Sequence, residues 1–248
     1  PDGSYIKFDL SYIFIMCLLP IFFIVLPEQC GELVRLFQQK SIYARHSYTS
    51  LKSIKHIVLM GTVSKTALRN FLEELFHDDH FDGENKTVHC VLLQPNTPEE
   101  QTKSLMADVK YNTKLWYIEG AYIDTDFARC ALHSADAIVI LCDKFSYDAE
   151  HEDTDTILSV MHIKNYLNRL KKQGNIEVGN HLLCIQLLAP ESLIHYDLSM
   201  PEANENDQIV CIESLKLAIL AKSCLCPGLV VLITNLIKSS GELDERVD

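Results

Sequence analysis

The chain has 248 residues and a formal net charge of −12, with +2 over residues 1–60 and −14 over residues 61–248. So acidic a body excludes a binder of nucleic-acid backbones, which needs a basic face. The length allows one α/β domain plus an added segment, and a chain beginning at Pro1 rather than a methionine reads as a piece of a longer protein.

Residues 10–26 (LSYIFIMCLLPIFFIVL) form a near-continuous apolar run. As a helix these 17 residues span roughly 26 Å, the short end for crossing a bilayer. Pro20 removes a backbone donor and predicts a kink, which membrane helices tolerate. The flank holds Asp2, Lys7 and Asp9 and no A-x-A-like site follows, so a secretory leader fits poorly. Arg35, Lys40, Arg45, Lys52 and Lys55 follow the run, against Lys7 before it. The positive-inside rule then places residues 37–248 in the cytosol. The helix and its cytosolic extension are assigned to residues 1–36, and residues 37–54 read as a polar linker.

From residue 55 the pattern alternates. Strands are predicted over 56–60, 88–93, 115–119, 137–142, 182–188 and 208–212. Helices are predicted over 65–76, 98–109, 124–132 and 153–172, with a short turn at 191–196. Apolar strands separated by amphipathic helices predict a parallel sheet covered on both faces, over residues 55–212. The element order is Rossmann-like, but the dinucleotide fingerprint is missing. After the first strand only Gly61 of the required glycines stands in Gly61-Thr62-Val63-Ser64-Lys65-Thr66. The second strand ends at Gln94 with no acid for a ribose hydroxyl. Residues 213–226 and 229–238 predict two helices parted by Pro227-Gly228. This helix–turn–helix, assigned to 213–241, carries enough apolar surface to pack on another domain or subunit, unless it closes this domain's own core. Residues 242–248 are a polar tail.

The loop 143–155 (DKFSYDAEHEDTD) is the sharpest site candidate. It follows the fourth strand, at the carboxyl edge where open α/β sheets bind ligands. Asp148, Glu150, Glu152 and Asp153 offer oxygen ligands suited to a hard cation, without the spacing of an EF-hand. The other reading makes Asp153 the N-cap of the following helix, with Asp155 in its first turn. His77-Asp78-Asp79-His80 reads as a solvated helix end. The nine cysteines contain no C-x-x-C pair and read as buried, reduced thiols. No G-x-S-x-G, H-E-x-x-H or Walker pattern occurs, so no catalytic residue is assigned and the chain reads as non-enzymatic.

Several strings, in collinear order over nearly the whole chain, resemble the Slo family of high-conductance potassium channels. They are VLPEQCGELVRL (25–36), YARH (43–46), KHIVLMG (55–61), FLEELFH (71–77), SADA (134–137), IKNY (163–166), QLLAPE (186–191) and CLCP (224–227). The resemblance implies a pore-lining inner helix joined by a linker to a Rossmann-like RCK domain, a regulator of potassium conductance, followed by the helix–turn–helix. It implies a pore-forming subunit of a homotetrameric, multi-pass membrane channel in contact with lipid. A second RCK domain of each subunit would complete a gating ring, and cytosolic ion binding would pull on the inner helix. IKNY resembles the calcium-activated branch; LPEQCGELVRL, YARH, residues 155–158 and CLCP resemble the sodium-activated branch. Regulatory calcium or sodium therefore both stand, with potassium as the permeant ion and no other cofactor. In the calcium-activated relatives an Asp matching Asp153 takes part in sensing, with Glu152 beside it. Leu18, Pro20, Ile21, Phe22, Phe23 and Val25 become candidates for lining or gating the pore, where an apolar constriction can close by dewetting. A membrane-tethered NAD-dependent enzyme and a nucleotide-binding transporter regulator stand as alternatives. Both need the glycines and the acid at position 94 that the chain lacks.

Overall fold

The computed structural model describes residues 41–51, 54–77, 88–174, 178–200 and 207–238, together with residues 12, 14–16, 18–20, 22 and 27–31. The chain divides into two compact units, Pro1–Ile42 and Tyr43–Asp248. In the first unit the described residues of 12–31 are helical and exposed, Pro20 among them. Among the described residues no helix is long and apolar enough to cross a membrane. The span expected over 10–26 falls partly on residues outside the described ones.

The second unit is built on six parallel strands: β1 (Lys55–Gly61), β2 (Val88–Gln94), β3 (Leu115–Glu119), β4 (Ala137–Leu141), β5 (Leu182–Leu187) and β6 (Asp207–Cys211). Their order is β3-β2-β1-β4-β5-β6, a doubly wound arrangement, and all are parallel as the sequence predicted. Continuous apolar runs such as Val91, Leu92 and Leu93 are buried on both faces, as a covered parallel sheet requires. On one face lie α1 (Lys65–Leu75) and α2 (Glu100–Met106), with Leu68, Leu72 and Leu105 packed on Leu59, Leu92 and Tyr117. On the other lie α3 (Asp124–Arg129), α4 (Ala149–Gln173) and α5 (Glu191–Ser199), with Phe127, Val160, Ile163 and Tyr196 packed on Val58, Val91 and Ile138.

Four helices differ from the sequence expectation. α2 is shorter than 98–109. The helix expected over 124–132 ends at Arg129, where Ala131 turns left-handed (φ 51°) into a 3-10 turn, Leu132–Ser134. α5 replaces a short turn. α4 begins four residues before 153, because Asp148 is its N-cap and accepts from His151 N at 3.1 Å. Lys164 of α4, Tyr196 of α5 and Asp207 of β6 form one partly buried polar knot. Lys164 pairs with Asp207, and the Tyr196 hydroxyl donates to the same carboxylate at 3.0 Å.

α6 (Ile212–Leu225) and α7 (Leu229–Ile237) join through Gly228 at φ 88°. Neither helix has a buried residue, so they do not close this domain's core. Leu217, Leu220, Leu225, Leu232 and Leu236 are all exposed. Cys224 and Cys226 are exposed with them, and Cys30 is exposed in the first unit, contrary to the expectation of buried thiols. Cys90, Cys130, Cys142 and Cys211 are buried, and every described cysteine is a free thiol.

The amino edge of the sheet carries histidines that burial holds neutral. His56 Nε2 lies 3.2 Å from Ala131 O, while its buried Nδ1 has no partner. His181 is arranged the other way: Nδ1 is 2.6 Å from Ala135 O and Nε2 is unpartnered. Protonation would bury a second N–H without an acceptor. Desolvation accordingly lowers both from 6.5, opposed by those carbonyl hydrogen bonds and by Asp136, and helped by His133. A lowered folded-state value adds stability that is full above the unfolded value and is lost as pH falls toward the folded one. Urea midpoints read from Trp116 fluorescence are therefore expected to drop between pH 7 and pH 5. His56→Gln is expected to flatten that slope, and an unchanged slope would remove His56 from the account.

Candidate functional site

The carboxyl edge of the sheet between β1 and β4, where the strand order reverses, is where a doubly wound fold binds its ligand. Here the crevice is small and occupied by the protein's own groups. Gly61 N donates to the Tyr122 hydroxyl at 3.0 Å. Gln94, at the position where a ribose-binding acid would stand, donates from Nε2 to Gly61 O at 3.2 Å and accepts from the Tyr117 hydroxyl at 3.2 Å. Ser64 caps α1 by accepting from Ala67 N. The space left among Thr62, Ser64, Cys142, Lys144 and Gln186 is about 70 Å³. Ligand pockets for drug-sized molecules run from roughly 300 Å³ upward.

Gly61 explains itself without a nucleotide. Its φ is +92°, and a Cβ there would lie 1.8 Å from the carbonyl oxygen of Leu141 on β4. The residue is a glycine because β1 and β4 approach each other at this point.

The acidic loop lies on the same edge, and its carboxylates diverge. Asp153 is 1 % exposed, one turn inside α4. Its Oδ1 accepts from Leu188 N at 2.8 Å and its Oδ2 from Ala189 N at 2.9 Å. It therefore ties α4 to the loop after β5 and is not the helix cap. The Cys142 thiol sits beside it, 3.7 Å from Oδ1, 3.1 Å from Thr156 Oγ1 and 2.8 Å from Gln186 O. Burial pushes this thiol up to about 12, with Asp153 and Glu152 adding to the rise against the Thr156 hydrogen bond. Cys142 is thus an inert thiol rather than a nucleophile. Glu152 Oε1 accepts from Asp143 N at 2.9 Å and holds the loop against the helix. Asp148 is committed to the cap, and Glu150 is exposed. Asp155 is exposed and lies 3.7 Å from His151. Among the described residues no three His, Cys, Asp or Glu side chains are grouped to hold a metal ion. The four carboxylates named from the sequence thus do not form a coordination shell.

Of the pore candidates, Leu18, Pro20 and Phe22 lie on helical, exposed positions. Ile21, Phe23 and Val25 lie outside the described residues. His77 follows α1, and residues 78–80 lie outside the described residues.

Two residues that sequence reasoning missed join the linker to the sheet domain. Tyr48 is buried within the core, and Arg129 bonds linker carbonyls some eighty residues away. The sequence signals were faint: an aromatic in a Ser/Thr/Lys-rich stretch, and an arginine in the last turn of a short helix.

Comparison with known proteins reaches the same architecture. Residues 52–211 match the family described as calcium-activated potassium channel slowpoke-like RCK domain. Residues 207–247 match the calcium-activated BK potassium channel alpha subunit. The calcium-activated potassium channel slo-1 of Caenorhabditis elegans is 29% identical over 185 residues. That match takes in 73% of this chain and 15% of the relative, so the chain spans a small part of the relative's length. Among solved structures, the human SLO3 gating ring superposes with a TM-score of 0.56 at 24% identity. It covers 78% of this chain and 30% of that one, a similarity of fold.

Proposed function

Because the chain belongs to the calcium-activated potassium channel slowpoke-like RCK domain family, we propose that it is part of the pore-forming subunit of a potassium channel. In this reading residues 1–36 hold the inner pore helix, residues 37–248 lie in the cytosol, and the full-length protein is a multi-pass membrane protein. Four subunits, each with a second RCK domain, build a gating ring that opens the pore when a cytosolic ion binds.

The observation that carries the reading is the pairing of a filled nucleotide crevice with an uncovered helix pair. The sheet domain keeps the doubly wound order but has closed the crevice with Tyr122 and Gln94. It then presents α6 and α7 with no buried residue and a row of exposed leucines. An apolar surface of that kind suits permanent packing against another domain. The filled crevice also weighs against a membrane-tethered NAD-dependent enzyme and a nucleotide-binding regulator. The family points to calcium as the activating ion, with sodium as the alternative. The carboxylates of the acidic loop do not converge on a cation, so no gating step is routed through them.

Inside-out patches of the full-length channel test the proposal. Stepping cytosolic calcium, then sodium, is expected to open a potassium-selective current. Absence of potassium current under both ions would sink it.

A further inference from the structure

The gating reading needs a point where the linker takes hold of the sheet domain. The obvious point is Lys55, where β1 begins. The structure supplies an earlier one.

Arg129, in the last turn of α3, uses all five of its N–H groups. Nε donates to His46 O at 3.1 Å, and Nη2 donates to His46 O at 2.9 Å and Tyr43 O at 3.1 Å. Nη1 donates to Glu119 O at 3.0 Å and to Asp126 Oδ1 at 2.8 Å. The Arg129 and Asp126 side chains are 22% and 11% exposed, which shields the pair from solvent. Asp126 is itself fixed, because its Oδ2 accepts from Ala121 N at 2.8 Å. It sits so close to Gly120 that a Cβ there would lie 2.6 Å from the Asp126 carboxyl carbon. Arg129 also holds the linker with its backbone, its carbonyl accepting from Tyr48 N at 2.8 Å.

The linker side chains complete the grip. Tyr48 is 6% exposed; its ring meets Trp116 at 5.2 Å, and its hydroxyl lies 2.9 Å from His89 Nδ1. Tyr43 meets Tyr117 edge-on at 5.5 Å. Trp116 and Tyr117 are consecutive on β3, so they point to opposite faces of the sheet. Residues 43–48 therefore straddle β3, the edge strand, with one aromatic anchor on each face.

Resting on the gating reading, we infer that this strap is the mechanical anchor of the linker. Tension between ring and pore enters the domain at residues 43–48 through Arg129, and residues 49–54 carry none of it. Arg129 is a positioning residue, and the working tether ends at Tyr43.

Two insertions of three glycines in the full-length channel test this, one between Ser41 and Ile42 and one between Ser50 and Leu51. Patches stepped through the activating ion report the concentration for half-opening. The first insertion is expected to shift it roughly fivefold or more. The second should leave it within about twofold, as for an uncoupled site. In an Arg129→Gln background the second insertion should shift gating like the first. Arg129→Lys, which keeps the charge but not the fork, should fall between. A strap that only covered an edge strand would not make the response depend on where the glycines stand. Equal shifts from both insertions in the otherwise wild-type channel, or no shift from either, overturn the inference while the gating reading survives. That comparison stands even if the Arg129 variants do not fold. A wild-type channel without ion-opened potassium current overturns the gating reading, and the anchor with it.

Discussion

Gly61→Ala is expected to destabilise the sheet domain severely. Two costs act together. The residue sits at φ +92°, where an L side chain is strained. The added methyl would also lie 1.8 Å from Leu141 O, an atom of the adjacent strand's backbone. No rotamer relieves that overlap, so β1 and β4 must separate at a rung where Gly61 pairs with Leu141. The expected loss exceeds about 4 kcal/mol, the range reserved for steric failure in a core. Gly174 is the control. It too has a positive φ, +65°, at the C-cap of α4, but a Cβ there meets nothing within 4 Å. Gly174→Ala should cost only the conformational term, about 1 kcal/mol. Urea unfolding of the two variants, followed by circular dichroism, separates the costs. A Gly61→Ala protein as stable as Gly174→Ala would mean that the strands accommodate the methyl.

That glycine shows how far the sequence alone could be read. The six strands were legible because runs such as Val58–Met60 and Val91–Leu93 are continuously apolar, and a strand buried on both faces has no polar side to blur the pattern. The lost dinucleotide site was legible from missing glycines. The reason for the surviving one was not, because it lies in the distance between two strands 80 residues apart. The start of α4 was misread for a related reason. Its buried stripe is Asp153, Thr156, Ile157, Val160 and Ile163, and its first member is a carboxylate. A charged residue at a core position ends an apolar pattern, and in a loop rich in capping residues it passes for a cap. The strap was invisible because Tyr48 finds its partners at His89, Trp116 and Arg129, none of them local.

Asp153→Ala is the second large effect expected. The carboxylate sits at the junction of three elements: α4, which carries it, the end of β4 at Cys142, and the loop after β5 at Leu188 and Ala189. Charge-assisted hydrogen bonds to two backbone N–H groups are among the stronger polar contacts a protein makes. Truncation leaves both N–H groups without their acceptor, and each such orphan costs about 1–3 kcal/mol. It also opens a void beside Cys142 and Thr156. The summed expectation is about 3 kcal/mol, with the loop at 188–190 released from α4. Asp153→Asn should recover only part, since an amide presents one oxygen where two acceptors are needed. Asp148→Ala, which removes an exposed cap, should cost about 1 kcal/mol. Glu150→Ala should cost less still, because an exposed side chain away from such features rarely matters by more than about 0.5 kcal/mol. The order Asp153, Asp148, Glu150 in urea midpoints would identify Asp153 as the tie at the sheet's carboxyl edge. Equal midpoints for Asp153→Ala and Glu150→Ala would remove it from that role. Amide exchange adds an independent reading. The Leu188 and Ala189 amides should lose protection in Asp153→Ala, while that of Asp143, held by Glu152, should keep it.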